Sequence, residues 1–505
     1  MKRATRPATN SFQDGDANVY LDALLWLTPE NPFTVDEDGR TQVSYSFGGS
    51  GGYDIRDSGS SVDYLTASAW TSVEQAAAHQ ALLAWTSVAN IDLVAAPVES
   101  ATFKLLTATD AQMSAYFSGE RGILGFSTLP NDYSAYPYGP PGSGEVDYTP
   151  GYSVFNKQGD GWTAAGLKEG GYGYLTMVHE IGHLFGLDHP FYEGGYNYET
   201  KTGEPHFHGA TGPYKTGVNG LNQGIFTSMS YNDGWSGQPS RSLDYGWQKG
   251  PMAFDIAAMQ ELYGANADYR TGNDVYTLPK ANVAGTGWLS IWDAGGEDTI
   301  VAPDGAGSAT IDLRDAPLAG PNAGGYVSWV GGVAGGFTIA SGDLLEPGRA
   351  AIENAIGAAG NDTITGNEFV NRLTGGGGND TIKGLAGDDI LSGGLGRDLL
   401  SGGEGCDVFV FAFAAESAAG SKRDAIQDFQ DGLDHIDFAA FDANSRTPGT
   451  QHFDFIGGAG FHGTAGELRF ASGILAGDLN GDRRADFEVS VAGVSTLDLG
   501  DFYLA

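Results

Sequence analysis

Between Gly357 and Val410 the chain repeats itself every nine residues, and this period constrains its fold more than any other feature. Gly375-Gly-Gly-Gly-Asn-Asp-Thr-Ile-Lys383 matches the pattern G-G-x-G-x-D-x-U-x throughout, and units starting at Gly384, Gly393 and Gly402 follow in register. In such a unit six residues make a glycine-rich turn whose carbonyls and aspartate suit Ca²⁺, and three make a short strand with one inward apolar side chain. The inward residues are Ile364, Leu373, Ile382, Leu391, Leu400 and Phe409, and the candidate calcium ligands are Asp362, Asp380, Asp389, Asp398 and Asp407. The unit 366–374 has Asn371 where the others have aspartate, so a weaker site is expected there. A flexible Gly/Asp linker would lack the periodic apolar residue. Without calcium the stacked carboxylates repel one another, and disorder is expected.

With 505 residues the chain exceeds one ordinary core, and two domains are expected. Its 63 acidic residues against 26 basic ones give a net charge of -37, which repels nucleic acid and anionic lipid and excludes both as partners. The single cysteine, Cys406, allows no intramolecular disulfide, so calcium takes over the bracing role. No apolar run is long enough for stable membrane insertion, and the N-terminus lacks the order of a cleaved signal peptide. Composition alone would read as cytoplasmic, a reading that the motifs below reverse.

The half before the repeats reads as mixed α/β. Thr41–Phe47 alternates like a half-buried strand, and Gly48-Gly-Ser-Gly-Gly52 is expected to break it. From Ser72 to Val88, Val73, Ala77, Leu82, Trp85 and Val88 fall near one helical face, with Ser72 as the cap and Glu74 in the first turn. Ile91–Val94 and Phe103–Leu106 read as strands, and Tyr133–Tyr152, dense in Pro, Gly and Tyr, as surface loop. A helix is expected from about Gly173. Another, Ala253–Tyr263, presents Ile256, Met259 and Leu262 to a core and stops at Gly264.

The chemistry lies in His179-Glu-Ile-Gly-His-Leu-Phe-Gly-Leu-Asp-His189. His179 and His183, four apart on a helix, project from one face and can grip one Zn²⁺. Gly186 lets the chain leave the helix and swing back, bringing His189 to the third position and leaving the fourth for water. Glu180 follows the first ligand and can approach that water without coordinating, as a general base.

With this motif the chain resembles the metzincin metallopeptidases, and His189-Pro190 looks like the serralysin type. The resemblance implies an α+β metzincin catalytic domain followed by an all-β, calcium-binding parallel β-roll of the RTX kind. It also implies a methionine turn beneath the zinc, matched here by Ser228-Met-Ser-Tyr231. Met229 would be the apolar floor of the site, and Tyr231 a distant zinc ligand that swings to stabilise the oxyanion. Two departures bear on substrate preference. Asn232 and Asp233 stand where many serralysins have an aromatic residue, and the segment from Phe191 to Phe226 is longer than usual. Within that segment His206 and His208 read as solvated loop residues rather than a second metal site.

The resemblance extends to the junction of the two halves, where Arg270, Gly272, Asp274, Asp293, Gly295, Asp298 and Glu353 would match further calcium ligands. Asp478–Asp486 has the alternating oxygens of a calcium loop and equally reads as an Asp/Asn turn. The ending Asp501-Phe-Tyr-Leu-Ala505 looks like the uncleaved signal read by the type I exporter of Gram-negative bacteria. The expected organisation is a tail or short pro-segment at 1–35, a catalytic domain at 36–266, and an RTX domain with the secretion signal at 267–505. The expected function is that of a secreted, extracellular, monomeric zinc endopeptidase acting on proteins or peptides. Two rivals are a calcium-dependent surface protein with a vestigial zinc domain and an RTX lipase. The intact ligands and base oppose the first. The second would need its serine at Gly48–Gly52, where no helical pattern follows.

Overall fold

The computed structural model describes residues 19–25, 33–55, 64–128, 130, 150–191, 206–232, 234–235, 241–341 and 351–504. Asp233 and nearly all of the loop expected at 133–152 lie outside them, as do residues 1–18 of the stretch read as a tail. The remainder of that stretch includes helix α1 (Val19–Leu24), whose Leu24 is fully buried and whose Tyr20 ring lies 5.5 Å from Phe254.

The first half is built on a mixed six-stranded sheet. Strand β1 (Thr34–Val35) pairs antiparallel with β2 (Thr41–Phe47), where Thr41 and Val43 turn inward as the alternation requires. The chain then forms a hairpin, β3 (Gly51–Asp54) and β4 (Tyr64–Ala67). The glycine run therefore ends in a strand, and Ser50 opens no helix, which removes the geometry a lipase nucleophile would need.

Helix α2 (Ser72–Thr86) is capped by Thr71 rather than Ser72. Glu74 decides this: its backbone N–H donates to Thr71 Oγ1 at 3.3 Å, and its carboxylate accepts from Thr71 N–H at 2.6 Å. With that start Val73 falls on the outer face and is 52% exposed, while Ala77, Ala81, Leu82 and Trp85 are buried.

Strands β5 (Ile91–Ala95) and β6 (Phe103–Ala108) both run parallel to β2. After helix α3 (Asp110–Tyr116) comes β7 (Gly125–Thr128), the antiparallel edge, and β8 (Gly151–Asn156), which lies between β7 and β6. Helix α4 (Tyr172–Leu184) is buried along its length and locked to α2, with Trp85 Nε1 donating to Val178 O at 2.9 Å. Helix α5 (Ala253–Tyr263) ends as expected at Gly264, which has φ +80° but an extended ψ of 156° instead of the αL value. Ile256 and Met259 are buried there, and Leu262 is half-buried.

The second half winds into two sheets that face each other across one apolar seam, one parallel throughout and the other parallel along the repeats but with antiparallel pairs on either side, within 309–339 and 467–491. Partners are eighteen residues apart: Ile364 pairs with Ile382 and Ile382 with Leu400 in one sheet, and Leu373 with Leu391 and Leu391 with Phe409 in the other. All six are fully buried. Thr363–Thr365 and Val408–Val410 keep the three residues read from the repeat, whereas the four strands between them are longer, because their glycine turns pair as well. Arg372–Gly378 forms a seven-residue strand in which Gly376 sits opposite Gly394. Trp247–Gln248, ahead of the boundary expected at 266, adds in parallel to Gly287–Trp288, so the two halves share a sheet. Among the described residues no helix is long and apolar enough to cross a membrane.

Candidate active site

Helix α4 carries His179 and His183 with their rings edge to face at 4.8 Å. Phe185 caps the helix, Gly186 takes φ +91°, and the returning chain stacks His189 5.1 Å from His179 and 4.6 Å from His183. The loop is tied down by Asp188 N–H, which donates to Leu24 O at 2.8 Å, a bond from α1 that the motif gives no hint of. A ring nitrogen from each of the three histidines lies within 4.8 Å of the others, and His179 Nε2 and His189 Nε2 are 3.1 Å apart.

Two backbone carbonyls orient this group. Ser228 O lies 2.9 Å from His179 Nδ1, and Leu187 O lies 2.8 Å from His183 Nδ1. A carbonyl only accepts, so each Nδ1 carries a proton, and in the neutral ring each Nε2 keeps its lone pair. Burial, reinforced by the neighbouring imidazoles, holds His183 and His189 well below the ordinary histidine pKa. Neutral imidazoles with converging lone pairs fit a tetrahedral Zn²⁺.

Glu180 is buried beside them. Ser127 Oγ, on the edge strand β7, donates to Glu180 Oε2 at 2.9 Å, and Ser153 Oγ lies 3.1 Å from Glu180 O. Burial pushes the carboxyl up to about 8, with the Ser127 hydroxyl pulling the other way. A side chain at Gly125 would sit 2.8 Å from Glu180 Cγ, so β7 can reach the carboxylate only with glycine there. Gly125, Ser127 and Ser153 are linked to Glu180 by strand pairing alone, and nothing in the local sequence marks them.

Met229 is fully buried, next in the chain to the Ser228 whose carbonyl faces His179, and the Tyr231 ring lies 4.7 Å from His189 and 5.5 Å from His179. Gly182 permits the close approach, since a Cβ there would lie 2.7 Å from Met229 Sδ and 2.8 Å from the Trp85 ring. Gly182→Ala is expected to destabilise this half by about 1–3 kcal/mol through overpacking, read as a lower urea midpoint. An unchanged midpoint would mean that the neighbours move aside at no cost. Among the described residues neither His206 nor His208 joins a group of potential metal ligands.

Asp274, Asp293 and Asp298 bring carboxylate oxygens within 4.8 Å of one another. Asp274 N–H donates to Asp298 Oδ1 at 2.7 Å, Asp298 N–H to Glu353 Oε2 at 2.8 Å, and Gly295 N–H to Asp293 Oδ1 at 3.1 Å. Arg270 pairs with Asp274 at 3.3 Å, and Gly272 O abuts Gly296. All seven junction residues are thus gathered in one place. Burial, with the surrounding carboxylates, pushes Asp298 up to about 6.

Along the roll each aspartate uses Oδ1 to accept the N–H of the residue one turn earlier: Asp380 from Asp362, Asp389 from Asn371, Asp398 from Asp380 and Asp407 from Asp389. Among the described residues the Oδ2 atoms of Asp380, Asp389, Asp398 and Asp407 are buried without a partner, an arrangement that suits a cation. The glycine opening each unit faces the aspartate five residues on, and a Cβ at Gly357 would meet Asp362 Oδ2 at 2.5 Å. Asn371 occupies the ladder with its amide turned to Asn367. Asp424 and Asp434 continue the two ladders, accepting from Asp398 at 2.7 Å and from Asp407 at 3.0 Å. Each is followed after one residue by isoleucine, a trace of the repeat beyond the point where its nine-residue phase is lost.

In the 478–486 loop Asp478 accepts from the N–H groups of Gly481, Asp482 and Arg483, and Asp486 from Leu479 N–H, so these carboxylates serve the turn. Phe502–Tyr503 docks as a last parallel strand on Ile436–Asp437.

Residues 253–503 match the family model described as Peptidase M10 serralysin C terminal. The chain is 34% identical to Metallopeptidase AprA of Pseudomonas marginalis, over 83% of this chain and 78% of that one. It is 35% identical to Serralysin of Proteus mirabilis, over 82% and 79%. It is 32% identical to Metalloprotease AprA of Pseudomonas entomophila, over 95% and 88%.

Proposed function

The chain belongs to the serralysin family of metallopeptidases, and on that premise we propose that it is a secreted zinc endopeptidase hydrolysing extracellular proteins, with calcium bracing its second half. The observation that carries the reading is the convergence of three imidazoles, from His179, His183 and His189, beside the buried carboxylate of Glu180.

When bound there, zinc supplies Lewis-acid chemistry, polarising a peptide carbonyl and making water a nucleophile near neutral pH. Glu180 takes a proton from the attacking water and delivers it to the leaving nitrogen. Ser127 aims the Glu180 carboxylate, and Met229 floors the histidines. The half-exposed Tyr231 assists as charge develops on the substrate oxygen. The outer edge of β7, unpaired among the described residues, would let an extended peptide pair alongside Glu180.

The junction residues Arg270, Gly272, Asp274, Asp293, Gly295, Asp298 and Glu353, and the ladder aspartates Asp362, Asp380, Asp389, Asp398 and Asp407, are the proposed calcium ligands. The proposed organisation is a metzincin-type catalytic domain at 36–266 and an RTX β-roll at 267–505. Type I export suits a roll that stays unfolded until it meets external calcium.

The test is casein hydrolysis by protein purified with zinc and calcium, with and without 1,10-phenanthroline. Hydrolysis abolished by the chelator and restored by added zinc is expected. A folded, zinc-loaded protein inert on diverse protein substrates would shift the assignment to a calcium-dependent binding protein.

A further inference from the structure

The reaction gives no part to the buried carboxylate that adjoins the Met229 turn. Asp255, in the first turn of α5, is fully buried and distant in sequence from the histidine motif. Its Oδ1 accepts from Thr227 Oγ1 at 2.5 Å, and its Oδ2 accepts from Ser228 N–H at 2.7 Å, Ser228 Oγ at 2.6 Å and Met252 N–H at 2.8 Å. A residue that merely capped α5 would need only the Met252 bond. The other three reach across to the turn that carries Met229.

That turn has a direction. The peptide between Ser228 and Met229 is planar, with its N–H and C=O on opposite sides. Its N–H donates to Thr227 Oγ1 at 3.1 Å, on the side anchored by Asp255, and its C=O faces His179 Nδ1 at 2.9 Å. An unbroken chain of hydrogen bonds and one rigid peptide plane therefore runs from Asp255 to the imidazole.

We propose that Asp255 is a positioning residue of the metal site, fixing the Thr227–Ser228 turn so that the Ser228 carbonyl sets the tautomer and tilt of His179. The inference rests on the zinc-peptidase reading and assigns it a residue outside both recognised motifs.

The test compares full-length wild type with Asp255→Asn and Thr227→Val. The first keeps the shape but loses acceptor capacity, and the second keeps the β-branch and breaks the link to the peptide plane. Met113→Ala, in a separate apolar cluster, serves as a control for general destabilisation. Two readouts are used where all variants remain folded: the rate of zinc release to a chelating dye, and the visible absorption of the cobalt(II)-substituted protein. Zinc release about tenfold faster, with altered cobalt bands, is expected for both clamp variants, the size typical of lost support around a metal ligand. Met113→Ala should match wild type in both. If Asp255→Asn does not fold, Thr227→Val decides alone.

Wild-type release and spectrum in the clamp variants would overturn the inference, as would equal acceleration in Met113→Ala. A wild-type chain that takes up no zinc overturns the peptidase reading itself, whereas one that holds zinc beside unaffected clamp variants overturns only the role of Asp255.

Discussion

Replacing Glu180 by glutamine is expected to leave zinc content and circular dichroism unchanged while lowering kcat on casein by about 10²–10⁴-fold, the contribution of a positioned general base. The amide keeps the side-chain shape and can still accept from Ser127 Oγ, so the surroundings of the base need not rearrange. Only proton transfer is lost. The check is a steady-state assay alongside metal analysis of the same preparation. A zinc-loaded variant that retained wild-type kcat would show that another group moves the proton.

Calcium removal is expected to have a comparably large effect on the second half, with a dependence on pH whose sign is fixed by the ladder. In the ion-free roll, burial and facing carboxylates push Asp380 and Asp389 up to about 7, Asp424 to about 8, and Asp398 (with the neighbouring Glu416 carboxylate) and Asp407 to about 6. Unfolded aspartate titrates near 3.9, so each folded value is raised. Their contribution is fully present below about pH 4 and is lost as pH rises through about 6 to 8. Chelation should therefore abolish the far-ultraviolet β signal at about pH 8 and leave much of it at about pH 5, whereas the calcium-loaded protein should show little change between them. Equal order at both pH values after chelation would mean that carboxylate repulsion does not govern the roll.

The features legible in the sequence are those in which chemistry imposes a spacing. Two zinc ligands on one helix must be three or four residues apart, and Gly186 must turn the chain before His189 can return. All of this stands in eleven consecutive residues. The inward series from Ile364 to Phe409 was equally readable, because a roll must bury one side chain per unit. What stayed hidden depends on contacts between distant segments. Ser127 and Ser153 reach Glu180 because β7 and β8 pair, and Leu24 steadies the third-histidine loop from nearly the opposite end of the half. The cap of α2 was one residue off because Thr71 and Ser72 are chemically alike, and only the offset to Glu74 separates them. Asp424 escaped because the residues after Val410 interrupt the period that identified its fellows.

The eighteen-residue spacing of partners, set against a nine-residue sequence unit, gives the roll a parity. Consecutive units contribute to opposite sheets, so Leu400 and Phe409 lie on different sides of the seam and are continued by Ile426 and Ile436 respectively. Losing or gaining one unit would hand every later strand to the wrong side. Asp424–Ile426, which pairs with Phe487–Val491, and His435–Asp437, on which Phe502–Tyr503 docks, would exchange places. This half of the molecule can thus lengthen or shorten without rebuilding its end only by even numbers of units.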